Sequence, residues 1–162
     1  MNKQVLEAKQ GIVKEIVDKF NASSTVVFAE YRGLTVAKIQ ELRRALAKEN
    51  AEMCVYKNSL VERAMDELNQ ADAKQLLVGP NAVIFSADVI NGPKVAAKYA
   101  KRFKDIFVIK GGIVEGQFAD ANKIKEVAKL PGKEGLISMF LSCLQAPVRS
   151  FACAVKAVAD KN

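Results

Sequence analysis

The chain contains no histidine among its 162 residues. Without an imidazole, the protein cannot use Ser-His-Asp or Cys-His catalysis, histidine-ligated zinc or a histidine proton shuttle. Cysteine is also scarce: Cys54, Cys143 and Cys153 are the three present, and no two of them form a C-x-x-C pair. An odd number of cysteines in apolar surroundings predicts reduced thiols packed inside a cytosolic protein.

Targeting and catalytic motifs are missing as well. The first ten residues, MNKQVLEAKQ, are charged and contain no hydrophobic signal-peptide run, which supports the cytosolic prediction. The sequence has no Walker-type G-x-x-x-x-G-K motif and no metal-ligating cluster. We therefore expect no enzyme, no metal and no cofactor. An enzyme acting on phosphorylated substrates is the alternative that these absences disfavour.

What the sequence does contain is an excess of positive charge. The net charge is +7 and the isoelectric point is about 9.3, which predicts an anionic partner. The charge is uneven, because two basic zones, residues 31–63 and 93–133, flank an acidic middle, residues 64–92.

The first basic zone is built around two short apolar runs, residues 25–29 and 53–56, joined by an amphipathic segment, Val36–Lys48. A strand, a helix and a strand in this order predict a βαβ unit with parallel strands. Parallel strands end at the same edge of a sheet, so Arg32 and Lys57, which follow the two runs, become neighbours. The helices that start there add free backbone N–H groups. The sequence therefore predicts a phosphate-binding edge.

The residues around this edge also have purely structural interpretations. Gly33 and Asn58 are common turn and cap residues, and Lys38 and Arg43 are equally typical of a solvated helix face. Ser59, with a glutamate three residues later, matches the capping box and predicts a cap on the second helix.

Helices and strands alternate through the rest of the chain up to residue 130. Residues 1–20 show helical apolar spacing, residues 81–86 and 106–109 predict strands, and Pro93 suits the first position of a helix.

The glycine pair Gly111-Gly112 is expected to interrupt the fourth strand, and residues 113–118 to add a short hairpin arm. A sheet covered by helices predicts an α+β domain over residues 1–130, most simply a two-layer, ferredoxin-like domain.

The last segment, residues 131–162, differs in kind. A break at Pro131 and Gly132 precedes a long helix whose large apolar residues follow the 4-3 spacing of a heptad seam. Such a helix has more apolar surface than a solvated terminal helix can leave bare. The residues that we expect to form its docking surface are Ile137, Phe140, Leu141, Leu144, Val148, Phe151, Val155 and Val158.

Three partners compete for this projecting helix: its own domain, a membrane and other protein chains. A bilayer span needs about 20 apolar residues, and Gln145, Pro147, Arg149 and Lys156 interrupt the segment before that length is reached. Packing on its own domain is the simplest alternative, yet the preceding residues already supply a core. Docking of other chains is favoured, and Pro147 predicts a kink that divides the helix into two segments.

Several strings resemble one known family. In chain order they are YRGLTVAKIQELRRAL, VYKNSL, GPNAVIFS, IKGGIVEG and LPGKEGL. Together they resemble the bacterial ribosomal protein L10 family, the stalk-base protein of the large subunit. The resemblance implies an N-terminal α/β domain that binds large-subunit ribosomal RNA beside ribosomal protein L11. It also implies a C-terminal helix that carries dimers of the acidic stalk protein L7/L12.

The resemblance also implies further partners, a location in the cell and roles for individual residues. The L7/L12 dimers, two in number if Pro147 divides the helix, recruit translational GTPases, and the protein works in the cytoplasm on the ribosome. Pro131 and Gly132 are expected to form a hinge. The expected RNA-facing residues are Arg32, Gly33, Lys57 and Asn58, with Tyr31, Lys38 and Arg43 as weaker candidates.

The sequence departs from the usual family pattern at Gly132 and Gly135, where polar or helix-forming residues are commoner. Glycine weakens a helix, so we expect a loosened start of the last helix. Many relatives also repress translation of their own messenger. The alternative function is accordingly a free RNA-binding regulator that self-associates through its C-terminal helix.

Overall fold

The computed structural model describes residues 3–68, 70–103 and 106–160. The chain divides into two compact units, with the boundary between Lys129 and Leu130. The second unit contains one helix, α6 (Lys133–Ala159). The first unit contains, in chain order, α1 (Lys3–Ala22), β1 (Thr25–Glu30), α2 (Val36–Lys48), β2 (Ala51–Cys54), α3 (Asn58–Glu67), a 3-10 helix (Ala71–Leu76), β3 (Asn81–Ser86), α4 (Asn91–Arg102), β4 (Val108–Val114), β5 (Gln117–Asp120) and α5 (Ala121–Val127).

The five strands form one antiparallel sheet in the order β2-β3-β1-β4-β5. β1 and β2 are both antiparallel to β3, so they run parallel to each other, as the βαβ pattern predicts. They are not direct partners, because β3 lies between them. Arg32 and Lys57 therefore follow strands separated by two strand spacings, roughly 10 Å. This is a split βαβ unit, and α4 completes a second one.

Both faces of the central strands are buried. Along β1, Val27 and Ala29 pack into one core with α2 and α4, while Val26 and Phe28 pack into a second core with α1 and α3. β3 is buried along its whole length. Because these strands are covered on both faces, their sequences, TVVFAE and NAVIFS, are almost continuously apolar.

The predicted α+β class, with a ferredoxin-like strand order and a long C-terminal helix, is confirmed. The number of layers differs from the prediction, since helices cover both faces of the sheet and the first unit has three layers. The two-layer expectation was wrong because the central strands are apolar along almost their whole length, and successive side chains point to opposite faces, so neither face of the sheet is polar enough to meet water.

β4 continues through the glycine pair that was expected to interrupt it. A Cβ on Gly112 would lie 2.2 Å from the Val26 carbonyl oxygen and 2.9 Å from Ile124 Cδ1. Glycine is therefore required where β1, β4 and α5 approach most closely. A hairpin arm is present, but not over the predicted residues 113–118: residues 113–114 end β4, and the arm that pairs with β4 is β5, from Gln117 to Asp120.

Two helix starts differ from the sequence predictions. Lys57 occupies the N-cap position of α3 and makes no side-chain capping hydrogen bond, so Ser59 lies inside the helix and the capping-box prediction is wrong. Pro93 is the third residue of α4 rather than the first. Both positions lie within the first turn, where helix boundaries are set by tertiary packing as much as by local sequence.

The helical backbone of α6 runs without a break through Pro147, so the predicted division into two segments is not seen in its secondary structure. At 27 residues the helix is roughly 40 Å long. Gly135 is its third residue, and a Cβ there would lie 2.7 Å from Pro131 Cβ. The glycine therefore makes room for the proline ring at the helix start.

Candidate functional site

Three chain segments meet at one end of the sheet. Residues 31–35 leave β1 and residues 55–57 leave β2, while residues 77–80 lead into β3 from the opposite direction. Because β3 lies between β1 and β2, the segment that enters it lies between the two that leave. We call this end of the sheet the basic edge.

Arg32 and Lys57 are the exposed cations of the basic edge. The ion pairs found among the described residues involve other cations, which leaves these two side chains available to a ligand. A tight turn presents Arg32: the Leu34 N–H donates to the Tyr31 carbonyl at 3.1 Å, and Gly33 has φ +89°. Only glycine adopts that φ without strain.

Asn58 joins two of the three segments. Its side-chain amide donates to the Leu77 carbonyl at 2.8 Å and to the Gly79 carbonyl at 2.9 Å. Both amide hydrogens are thus used to hold the residue 77–80 loop against the start of α3. This supports the turn-fixing role of Asn58, rather than hydrogen bonding of its NH₂ group to a ligand.

Lys110 of β4 is a member of the basic edge that sequence reasoning missed. Its ammonium donates to the Val78 carbonyl and, at 3.0 Å, to Asn81 Oδ1, and it lies 3.1 Å from Glu30 Oε2. The second basic zone contains Lys110 in the sequence. No local pattern, however, places its side chain beside the end of β1, because that depends on how β4 pairs with β1 and on the register shift between Ile109 and Gly111.

The three weaker candidates for RNA contact, Tyr31, Lys38 and Arg43, lie in different surroundings in the structure. Tyr31 is half-buried against the first core. Lys38 lies in the first turn of α2, but its ammonium stands 5.2 Å from the centre of the ring of Phe103, the residue that follows α4, in a cation–π contact. Arg43 is exposed and lies seven residues beyond Val36, roughly 10 Å along the helix from the basic edge.

A polar cluster fastens α1 to β2. The Lys19 ammonium lies 3.1 Å from Glu52 and 3.3 Å from Glu15, which accepts a hydrogen bond from Tyr56 at 3.1 Å. The Cys54 thiol and then the Lys19 ammonium donate to Glu52 and hold the pKa of its carboxyl below the usual range. Burial raises the pKa of Cys54, so this thiol stays protonated and is a poor nucleophile.

Comparison with known proteins identifies the family. Residues 4–104 match the family model described as Ribosomal protein L10, and residues 130–162 match the model described as Ribosomal protein uL10 C-terminal region. The chain belongs to the ribosomal protein L10 family. It is 45% identical over 160 residues to the large ribosomal subunit protein uL10 of Bacillus cereus (strain B4264). The same identity is found with uL10 of Bacillus anthracis (strain CDC 684 / NRRL 3495), and each match covers 98% of this chain and 96% of the relative.

As an L10-family member, the chain is a structural, ribosome-associated protein of the large subunit. The two family matches fall on different parts of the chain, and the second covers α6. Within the described part of the chain, no group of three or more histidine, cysteine, aspartate or glutamate residues could hold a metal ion.

α6 of this L10-family chain has an exposed apolar surface. Its eight predicted docking residues are between 52% and 73% exposed, and they form what we call the α6 seam: Ile137, Phe140, Leu141, Leu144, Val148, Phe151, Val155 and Val158. Cys143 and Cys153 are also exposed on this helix, so the prediction of packed thiols is wrong for these two cysteines.

By length and composition alone, the segment Glu134–Ala159 is apolar enough to cross a membrane. Its polar side chains include Arg149 and Lys156, both exposed. An apolar helix of this kind also suits a protein interface, where the apolar side chains of a partner helix replace lipid.

Proposed function

We propose that this protein forms the base of the large-subunit stalk. The basic edge of its first unit binds large-subunit ribosomal RNA, next to ribosomal protein L11. The α6 seam docks dimers of the acidic stalk protein of the L7/L12 type, which recruit translational GTPases. The protein is cytoplasmic and has no catalytic role of its own.

The α6 seam is the observation that carries the proposal. Eight large apolar side chains remain more than half exposed along 27 residues of helix. An exposed apolar surface of this size favours aggregation unless a partner covers it. Amphipathic partner helices packing along a heptad-spaced seam are the natural complement.

The RNA part of the proposal rests on chemistry at the basic edge. Arg32 can donate two parallel hydrogen bonds to a phosphate or to a guanine edge, whereas Lys57 supplies a point charge. The N-cap residues of α2 and α3, Thr35 and Lys57, make no side-chain capping hydrogen bond. The first N–H groups of both helices therefore add positive potential at the same end of the sheet.

The number of docked dimers is proposed to be two. Residues 136–146 and residues 148–159 each provide about three helical turns on either side of Pro147. Pro147 lacks an N–H and removes one backbone hydrogen bond at the midpoint of the seam, although the helix continues. Pro131 and Gly132 are proposed to act as the hinge.

The test measures binding of the full chain to a ribosomal RNA fragment that contains the GTPase-associated region, over a range of salt concentrations. The Arg32→Ala/Lys57→Ala variant should bind more weakly, with the slope of log K against log salt reduced by about 1.4 to 1.8. Capture of stalk dimers should be unchanged. Unaltered RNA affinity and slope would refute the basic edge as the RNA site.

A matched control uses Arg44→Ala/Lys48→Ala. These two cations are exposed in the later turns of α2, away from the basic edge, and their loss changes the net charge by the same amount. This variant should keep most of the RNA affinity. Equal losses in the two variants would indicate a nonspecific charge effect.

The docking half is tested by native mass spectrometry of the wild-type chain with purified stalk protein. Two dimers bound per chain support the proposal. A defined homodimer of this chain, with no stalk protein bound, would instead support a self-associating RNA-binding regulator. Flotation of the free chain with phospholipid vesicles, unaffected by added stalk protein, would indicate a membrane partner for α6.

A further inference from the structure

The loop at residues 77–80 is fixed from both sides. From α3, Asn58 donates to the carbonyls of Leu77 and Gly79; from β4, Lys110 donates to the carbonyl of Val78. Asn81 adds a longer hydrogen bond to the same Val78 carbonyl, at 3.4 Å. Three consecutive carbonyl groups of this loop are therefore fixed by side chains of neighbouring elements.

Lys110 has no donor left for a ligand. An ammonium group has three N–H bonds, and here it has three oxygen partners: the Val78 carbonyl, Asn81 Oδ1 and Glu30 Oε2. Its charge is also largely balanced by the Glu30 carboxylate, which lies 3.1 Å away. Lys110 therefore contacts other residues of the protein, in contrast to the exposed Arg32 and Lys57.

Val78 stands out at the tip of the fixed loop. Its carbonyl oxygen accepts a hydrogen bond from Lys110, while the residue as a whole is 72% exposed. The strand order places the loop between Arg32, which follows β1, and Lys57, which follows β2. A polyanion that contacts both cations at once therefore spans this loop.

We infer that residues 77–80 are a rigid apolar platform within the RNA-binding edge, and that Lys110 is a positioning residue that holds it. This rests on the proposed function, and it adds a contact of a different kind. Arg32 and Lys57 attract phosphates, whereas Val78 packs against a ribose or the edge of a base in a shallow RNA groove. A wide RNA minor groove presents such surfaces to a protein.

A held loop lowers the cost of binding, because a side chain fixed before binding loses little conformational entropy. It also favours RNA whose surface is complementary to the loop, since a rigid loop cannot change its conformation to fit a different surface. The platform therefore contributes shape selectivity and a salt-independent part of the affinity, while the two cations contribute the salt-dependent part.

The test compares salt dependence among full-length variants, with the same ribosomal RNA fragment as the probe. Val78→Ser should weaken binding roughly five- to tenfold, as for loss of one well-packed apolar contact, and leave the salt slope unchanged. Arg32→Ala should reduce the slope by about 0.7 to 0.9, as expected for one lost phosphate contact.

The positioning role is tested with Glu30→Gln/Lys110→Met, which removes both charges of the pair and keeps the net charge. It should weaken RNA binding to a similar extent as Val78→Ser, again with an unchanged slope. Combined with Val78→Ser, it should add little further loss, because both changes disable the same platform. Thermal unfolding of each variant verifies that the first unit remains folded.

Several outcomes would overturn the inference. A slope reduced by Glu30→Gln/Lys110→Met as much as by Arg32→Ala would mean that Lys110 contacts phosphate directly. Unchanged affinity in Val78→Ser, with Arg32→Ala still defective, would refute the platform and leave the proposed function intact. If Arg32→Ala/Lys57→Ala also bound RNA normally, the RNA-binding edge itself would be wrong.

Discussion

The two units of this protein use the same residue type in opposite ways. Phe28, in the central strand of the first unit, has no exposed surface, whereas Phe140 and Phe151 on α6 are 64% and 73% exposed. The first unit uses its apolar side chains to fold. α6 keeps its large apolar side chains in solvent, as its proposed docking role requires.

The two units also differ in how they position the residues that we propose bind partners. In the first unit, buried strands place Arg32 and Lys57 at a defined end of the sheet, so the position of the cations depends on the fold. On α6, helical periodicity alone aligns the seam, so its pattern depends only on local sequence. Core damage and seam damage should therefore have separable consequences.

The largest expected effect is on the core. Phe28→Ala should lower the free energy of unfolding of the first unit by about 3 to 5 kcal/mol, because it removes a fully buried ring and leaves a cavity. Urea denaturation followed by circular dichroism measures this change. The matched control Phe151→Ala, at an exposed site, should change it by less than about 0.5 kcal/mol. Equal losses would contradict the division between folding and binding side chains.

Next in size is the effect of charges in the seam. Leu141→Asp/Leu144→Asp and Phe151→Asp/Val155→Asp each place two carboxylates in one half of α6. Each variant should bind one dimer fewer, with the affinity of that site reduced roughly 100-fold. Native mass spectrometry counts the dimers.

The control for the seam is Ser150→Asp/Ala157→Asp, which adds the same charge on the side of the helix away from the seam. This variant should keep both dimers. If either seam variant lost both dimers together, α6 would be a single cooperative site rather than two halves.

A smaller effect separates the two cations of the basic edge. Arg32→Lys should weaken RNA binding roughly three- to tenfold, because an ammonium cannot make the paired hydrogen bonds of a guanidinium. Lys57→Arg should stay within about twofold, since a point charge is retained. The salt slope should not change in either. Equal effects of the two exchanges would argue against bidentate recognition by Arg32.

The smallest effect concerns pH and the cluster that fastens α1 to β2. The folded-state pKa of Glu52 is lowered, so its contribution to stability is present above the usual glutamate pKa of about 4.3. That contribution is lost as the pH falls through the lower folded-state pKa.

Glu52→Gln should therefore cost less than about 1 kcal/mol at pH 6, since the pair is partly exposed. The cost should shrink as the pH falls below about 4. Urea midpoints of wild type and variant measured from pH 3 to 6 give the comparison. A constant difference across that range would mean that the Glu52 charge contributes nothing.

Local patterns predicted individual elements of the first unit well. α2 spans Val36–Lys48 as its apolar spacing predicts, and NAVIFS forms β3 with the predicted bounds. The parallel direction of β1 and β2 also follows from the helix between them. These features depend on residues close together in the sequence.

Features that depend on distant residues were not predicted. The insertion of β3 between β1 and β2, the third layer, and the ion pair of Lys110 with Glu30 all follow from strand order and from the pairing of β4 with β1. The need for Gly112 inside β4 arises from the approach of Ile124 on α5. One signal for the third layer was present, because both central strands read as unbroken apolar runs.

For the candidate site, sequence placed Arg32 and Lys57 at one end of the sheet, and the structure agrees. It could not show that Lys38 packs against Phe103 or that Asn58 is used to hold a loop. Those distinctions require knowledge of what surrounds each side chain, which residue type and spacing do not contain.

The exposed thiols of α6 have a practical consequence. Cys143 and Cys153 lie ten residues apart, roughly 15 Å along the helix axis, one on each side of Pro147. Cys54 is half-buried with a raised pKa and should react slowly with alkylating reagents. The native chain thus carries one exposed thiol for labelling on each side of Pro147. Cys153 lies five residues beyond Val148, on the side of the helix away from the seam. A spectroscopic label on this thiol can therefore report docking without any mutation and without covering the seam.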